Sequence, residues 1–477
     1  MVLNSKDACN LALELAKEQG CEYAEVQYVQ RAMDQFVLKN GNPEIGGFIR
    51  ASGLGLRVLI NGAMGFCSLN DLSKPTIKQN VLEAVKLAQS CNRLRTNKIE
   101  FSQEKVVKDK YSVSAKESGV DLHPEDKASK LNEIDKIMGS KGIPFRVAML
   151  MDSLDNKYYI NSDGSEIEAT IPRLMLFGVI TAIDRTTGGM EQSMIQKGAT
   201  GGYEWLDKWN IYQEIEREID TLQKIASCTY KPPKETVDFI IGPNVAGIIA
   251  HENCGHPSEG DRILGREAAQ AGESYLNVDK LGEQIGSQFV SIIDDPTMAG
   301  NFGYYLYDDE GVKARPRYLM KNGVFNEMLH NRESAKTMST HSTGAARSSN
   351  FNREPIPRMS CTYIAPGDYT FEELVEDVKL GIYMVNFSEW NIDDRRYQSK
   401  YVGKECYLIK DGEITSQLIK RPPLETTTPD LFSAMDGSTK DGLEFDAATC
   451  GKGDPMQGVP VWTGGPKGTR IRNIRLS

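Results

Sequence analysis

At 477 residues the chain is too long for one ordinary hydrophobic core, so two or more domains are expected. Its 40% hydrophobic and 26% charged residues are the proportions of a soluble globular protein. A net charge of −10 with no dense Lys/Arg run argues against a phosphate-gripping surface, and the longest lipid-like run, 174–183, is about half of a bilayer span, so neither a nucleic acid nor a membrane is expected as partner.

Along the chain, Met1 to Asp7 carries charge where a signal peptide has its apolar centre, which points to a cytoplasmic protein. Residues 5–19 place Ala8, Leu11, Ala12 and Leu15 on one helical face, with Ser5 as N-cap and Gly20 as the stop. Ala24, Val26 and Tyr28 then alternate with Glu25 and Gln27 as in a half-buried strand, and a turn-rich β region runs to about Cys67. A helix with Pro75 in its first turn follows, and another spans 125–138, closed by Gly139. Strand patterning returns from Arg146 to Lys197, with a hairpin at Asp163-Gly164. A long helix from Asp207 to Ala226 shows Ile211, Ile215, Ile219 and Leu222 on its apolar side, its Glu/Arg face reading as solvated. Tyr230 to Lys234, with two prolines, interrupts all regular structure and marks the domain boundary.

Beyond it an apolar strand, 237–241, leads through Gly242-Pro243 into a helix carrying the chemistry, followed by short strands such as 289–293 and 406–409 and one further helix at 371–381. The fold class expected is α+β: an N-terminal domain of mixed strands and helices over 1–231, and a mostly β domain over 232–477 with the motif helix packed on it.

That helix reads His251-Glu252-Asn253-Cys254-Gly255-His256, although the whole chain has five histidines. Two imidazoles bracketing a carboxylate suit a transition metal with a proton-handling group beside it. In a regular helix five residues turn through roughly 140° beyond a full revolution, so both rings meet one ion only if the turn is widened, as in a π-bulge. Gly255 and Pro257 make such a departure cheaper. Glu252 would stand beside the ion without ligating it, taking a proton from water and passing it on. A catalytic zinc needs three protein ligands and an open position; the third is open among Cys254, Glu259, Asp261 and a remote residue such as Cys450 in a glycine-flanked segment. The nine scattered cysteines form neither CxxC pair nor dense framework, so free thiols are expected. His330 and His341 read as surface residues, and Arg358 as part of a structural ion pair.

The string His251-Glu252-x-x-Gly255-His256-x-x-Glu259-Gly260-Asp261, with Cys450-Gly451-Lys452 and Val459-Pro460-Val461, resembles the TldD/PmbA metalloprotease family, whose members were once called modulators of DNA gyrase. Asp308-Asp309-Glu310-Gly311, Pro355-x-Pro357-Arg358-Met359 and Gly381-Ile382-Tyr383 extend the likeness, which is strongest over 237–477. Pro257-Ser258 departs from the glycine and apolar residue common after the second histidine. The resemblance implies a peptidase for unfolded or flexible peptides, with one Zn²⁺ per chain bound by His251, His256 and Cys450, and Glu252 as acid/base. It favours Cys450 over Cys254 as the sulfur ligand. It also implies the catalytic TldD-type subunit, in a dimer with a PmbA/TldE-type subunit or a second copy. A thiolate ligand leaves the site less positive than three neutral ligands would, so a slow peptidase is expected. Glu259 and Asp261 are candidates to orient the ligand imidazoles. An exposed strand edge near the site would let an extended peptide pair by its main chain. The rival readings are a non-catalytic zinc scaffold and a gyrase or nucleic-acid effector.

Overall fold

The computed structural model describes residues 2–44, 46–94, 96–267 and 272–476. The first half is organised by long antiparallel strands. Tyr23–Lys39 pairs on one side with Gly47–Ile60, which in turn pairs with Ala63–Leu69, and on the other side with Phe145–Asn161. Phe145–Asn161 continues the sheet to Glu166–Ile183, and Met190–Thr200 pairs with the far end of that strand. Strands of 17 or 18 residues extend over roughly 55–60 Å, and helices cover the same sheet in two places. Ser5–Glu18 and Lys74–Asn92 pack Ala8, Ala12, Ile77 and Val81 onto Val26, Leu54 and Val58. Pro124–Met138 and Ile211–Ser227 pack Leu131, Ile134, Ile215 and Ile219 onto Leu150, Leu174 and Leu176.

Several local expectations are corrected. Asn4, not Ser5, caps the first helix, its side chain accepting from the Asp7 N–H. Glu25 and Gln27 are buried: Glu25 pairs with Arg57 at 2.7 Å and Gln27 donates to Asp309 at 2.8 Å. The helix expected from Asp207 begins at Ile211, after a break at Asn210 with φ 47°, and its supposedly solvated face buries Glu218 against Lys404 at 2.6 Å. Period-2 and period-3.6 patterns locate apolar faces; they are blind to a charge that finds its partner on a distant segment.

The second half holds two six-stranded sheets. One runs Val324–Phe325, Arg317–Lys321, Ile292–Asp294, Cys361–Ile364, Gln457–Gly465 and Glu444–Lys452, the last an edge strand. The other runs Glu413–Leu418, Cys406–Lys410, Leu380–Met384, Thr236–Ile241, Thr469–Arg475 and Met435–Ser438. Val245, Ala246, Ile249 and Ala250 of the motif helix share one core with Met359 and Val461 from the first sheet side and Phe239, Ile382 and Ile471 from the second. The helix lies so close to the first sheet that a Cβ on Gly247 would meet the Gly464 nitrogen at 2.5 Å. The helix expected at 371–381 stops at Glu376; Leu380–Met384 is instead a central strand, paired on both sides. Architecture is thus α+β. Among the described residues no helix is long and apolar enough to cross a membrane.

Candidate metal centre

Thr236–Ile241 delivers the chain to Gly242, and Pro243 opens a helix where a missing N–H costs nothing. Pro243–Ile249 is regular α-helix; Ala250–Gly255 is a π turn, with the His256 N–H bonded to the His251 carbonyl. This widened turn is what five-residue spacing demands if both rings are to face the same side. The rings lie 4.9 Å apart between centroids and nearly perpendicular, at 80°. Gly255 has a helical φ of −58°, so its role is not conformational freedom: a Cβ there would run into the Met359 sulfur.

Cys450 reaches the two rings from the edge strand Glu444–Lys452. Its Sγ stands 3.3 Å from His251 Nε2 and 3.4 Å from His256 Nε2, and all three donor atoms lie within 4.8 Å of one another. Tetrahedral bonds of zinc to nitrogen and sulfur set such donors about 3.4–3.6 Å apart, close to the two sulfur–nitrogen distances here, so the donor set suits that ion. Cys254 is not part of this cluster: its sulfur turns to Ser258, and burial pushes its thiol up to about 12. Burial would raise the Cys450 thiol too, but His256 and Arg358 outweigh it and hold the thiol below its ordinary value, which favours the thiolate. His251, fully buried, is pushed down by desolvation, toward the neutral ring a metal requires.

Behind the donors lies a buried ionic network. His256 Nδ1 meets Glu259 at 3.0 Å, leaving Nε2 for the cavity side. Glu259 is fully buried, yet Lys452 at 3.1 Å, with His256 and Arg262, holds its carboxyl well below the usual range. Lys452 also bonds Asp261 at 2.7 Å, so Asp261 supports the network at one remove instead of touching a ring. Arg358 is buried, donating to the carbonyls of Cys450 at 2.5 Å and Gln457 at 2.8 Å; it braces the strand that carries the sulfur. His341 is exposed as expected, but His330 is buried against Ser334.

Glu252 lines the same cleft of about 1070 Å³ as His251, His256 and Cys450. Walls come from both halves of the chain, including Met190–Thr200 and two strands that, among the described residues, each pair on one side only, Glu444–Lys452 and Phe387–Ile392. Two contributors to this site were given no role from sequence. Lys452 had a signal, since it follows Cys450 by two residues and so shares its face of the strand. Arg396, 3.5 Å from Glu252, had none.

Three family models match in order along the chain. The PmbA/TldA metallopeptidase domain 1 model covers residues 24–90, the central-domain model 117–223 and the C-terminal-domain model 234–477. A metalloprotease of Methanocaldococcus jannaschii is 32% identical over 447 residues, 93% of this chain and 95% of that protein. Among solved structures, a Thermotoga maritima protein titled a modulator of a DNA gyrase superposes with a TM-score of 0.78 at 16% identity, covering 99% of this chain and all of its own. TldE from Thermococcus kodakarensis superposes at 0.75 and 16%, covering 98% and 100%. At that identity the two structures speak for the fold alone.

Proposed function

The chain belongs to the PmbA/TldD family of metallopeptidases, and from that premise we propose that it is the zinc-dependent, TldD-type subunit that hydrolyses peptide bonds in unfolded or flexible chains. One observation carries the reading: two imidazoles, a thiol and a free-standing carboxylate converge in one open cleft. Zinc held by His251, His256 and Cys450, one ion per chain, would supply a Lewis acid that polarises a carbonyl and makes water easier to deprotonate. Glu252, outside the donor set, takes the proton from water and hands it to the departing amine nitrogen. Glu259 fixes the His256 ring so that Nε2 presents its lone pair to the ion. The thiolate tempers the ion's charge, which makes for slow turnover. Among the described residues no fourth His, Cys, Asp or Glu joins the donor group, which favours catalysis over a closed structural site.

The half-paired strands along the cleft suit a substrate held by main-chain hydrogen bonds, and hence an extended, unfolded one. We assign residues 232–477 to chemistry and 1–231 to enclosing substrate and contacting a partner. The fold shared with a TldE supports pairing with a PmbA/TldE-type subunit or a second copy; a cytoplasmic setting accords with the free thiols of a reducing compartment. The test is hydrolysis of unstructured peptides by the zinc-loaded wild type and Glu252→Ala, each purified with and without such a partner. Loss of all turnover in the variant is expected; equal turnover in both proteins would end the reading.

A further inference from the structure

Arg396 sits in the turn between the strands Phe387–Ile392 and Gln398–Gly403, and its backbone has φ 61°, in the left-handed region that non-glycine residues seldom occupy. Much of the surrounding structure holds it there. Its N–H bonds to the Asp393 carbonyl at 2.9 Å, while the Asp393 carboxylate accepts from the N–H groups of Tyr397 and Gln398. Thr428 Oγ1 donates to the Arg396 carbonyl at 2.6 Å and itself accepts from the Asn253 side chain, also at 2.6 Å. Asn253 is the residue after Glu252, so the turn is tied directly to the metal motif. The consequence is a guanidinium aimed into the cleft, its side chain 13% exposed, with Nη1 3.5 Å from Glu252 Oε2. That separation is longer than a good hydrogen bond, and among the described residues neither Arg396 Nε nor Glu252 Oε2 has a hydrogen-bond partner. Strained backbone at a site, persistently braced, commonly marks function.

We propose that Arg396 is a further catalytic residue, binding the oxygen of the scissile carbonyl as that oxygen becomes negative. The inference rests on the peptidase reading. When a water oxygen adds to the carbonyl carbon, the C=O π pair moves onto the carbonyl oxygen and Glu252 takes the water proton. When the C–N bond breaks, that pair re-forms C=O and the leaving nitrogen takes the proton from Glu252. Charge therefore appears and vanishes on one oxygen within reach of a group beside Glu252, and a guanidinium, always protonated and rich in donors, can receive it. A substrate's terminal carboxylate would lie at least one residue, about 3.8 Å, further along.

The test compares wild type, Arg396→Gly, Arg396→Lys and Glu252→Ala, all zinc-loaded, on a quenched fluorescent unstructured decapeptide with a free or an amidated C-terminus. Arg396→Gly is expected to lower kcat about 100-fold, with KM changed less than about threefold, equally for both peptides. Its bound zinc should be unchanged and its Tm equal or higher, because glycine relieves the left-handed strain. Arg396→Lys should recover about tenfold of the lost kcat. An unchanged kcat, a loss confined to KM, a loss confined to the free-carboxylate peptide, or a fall in Tm or zinc content parallel to activity would each overturn the assignment. Residual turnover in Glu252→Ala at the wild-type level would instead overturn the underlying peptidase reading.

Discussion

At the scale of single residues, the site turns on which of two buried sulfurs is a thiolate. Cys450 lies beside His256 and the Arg358 guanidinium, which together outweigh its desolvation. Cys254 has only Ser258, and its thiol stays protonated. Cys450→Ser is therefore expected to strip zinc from the purified protein, while Cys254→Ser retains about one ion per chain; atomic absorption of the two variants measures this, and the reverse result would exchange their roles. His251, Glu252 and His256 were legible because their spacing is itself chemical. Cys450 stood among the candidates for its glycine-flanked segment, but only likeness to a family put it ahead of Cys254, Glu259 and Asp261, since a lone cysteine 194 residues from His256 has no ligand spacing to mark it. Arg396 could not be read at all: its value depends on a turn conformation and on a carboxylate 144 positions away in the chain (396 − 252).

Among elements, the decisive one is the widened turn between the histidines. Spacing of five required a departure from α geometry, and the π turn of Ala250–Gly255 provides it. Gly255 has a different reason from the one its neighbours suggested. At φ −58° an alanine would ordinarily stabilise, by about 0.4–1 kcal/mol through the unfolded chain. Here its methyl group would collide with Met359, and overpacking a closed core costs about 1–3 kcal/mol. Gly255→Ala should therefore lower the urea midpoint and weaken zinc binding by displacing His256. A raised midpoint would show that Met359 yields freely. Length, too, was misjudged from pattern: residues 371–381 combine a capped helix at Thr370 with a strand from Leu380, and a run of apolar residues does not reveal where one period hands over to the other.

On the scale of the whole molecule, two arginines paired with one buried carboxylate tie the long-stranded sheet to the half that bears the His251, His256 and Cys450 cluster. Asp155 accepts from Arg31 at 2.6 Å and Arg173 at 2.8 Å; these arginines also donate to the carbonyls of Ser349 and Phe302 respectively. Burial alone would raise the Asp155 carboxyl, but Arg31 and Arg173 hold it at about 2. A carboxyl depressed in the folded state adds stability above its unfolded value, near 3.9, and that stability disappears as pH falls through the folded value. The contribution is about 2–3 kcal/mol, present at neutral pH and lost progressively between roughly pH 5 and 1. Asp155→Asn should flatten this acid limb in urea titrations monitored by tryptophan fluorescence; an unaltered limb would mean that other carboxylates carry it.

Sequence alone determined the α+β class, the succession of most helices and strands, and the His251–His256 motif, because each is written in spacing within one or two turns of chain. Tertiary structure decided the rest. It brought Cys450 to the rings, gave Glu259 to His256 and set Lys452 against Glu259. It buried Glu25, Gln27 and Glu218 against distant partners, and it turned Arg396 toward Glu252. Those outcomes depend on contacts between residues far apart in the chain, where periodicity carries no information and the free energy is set by burial and pairing in three dimensions.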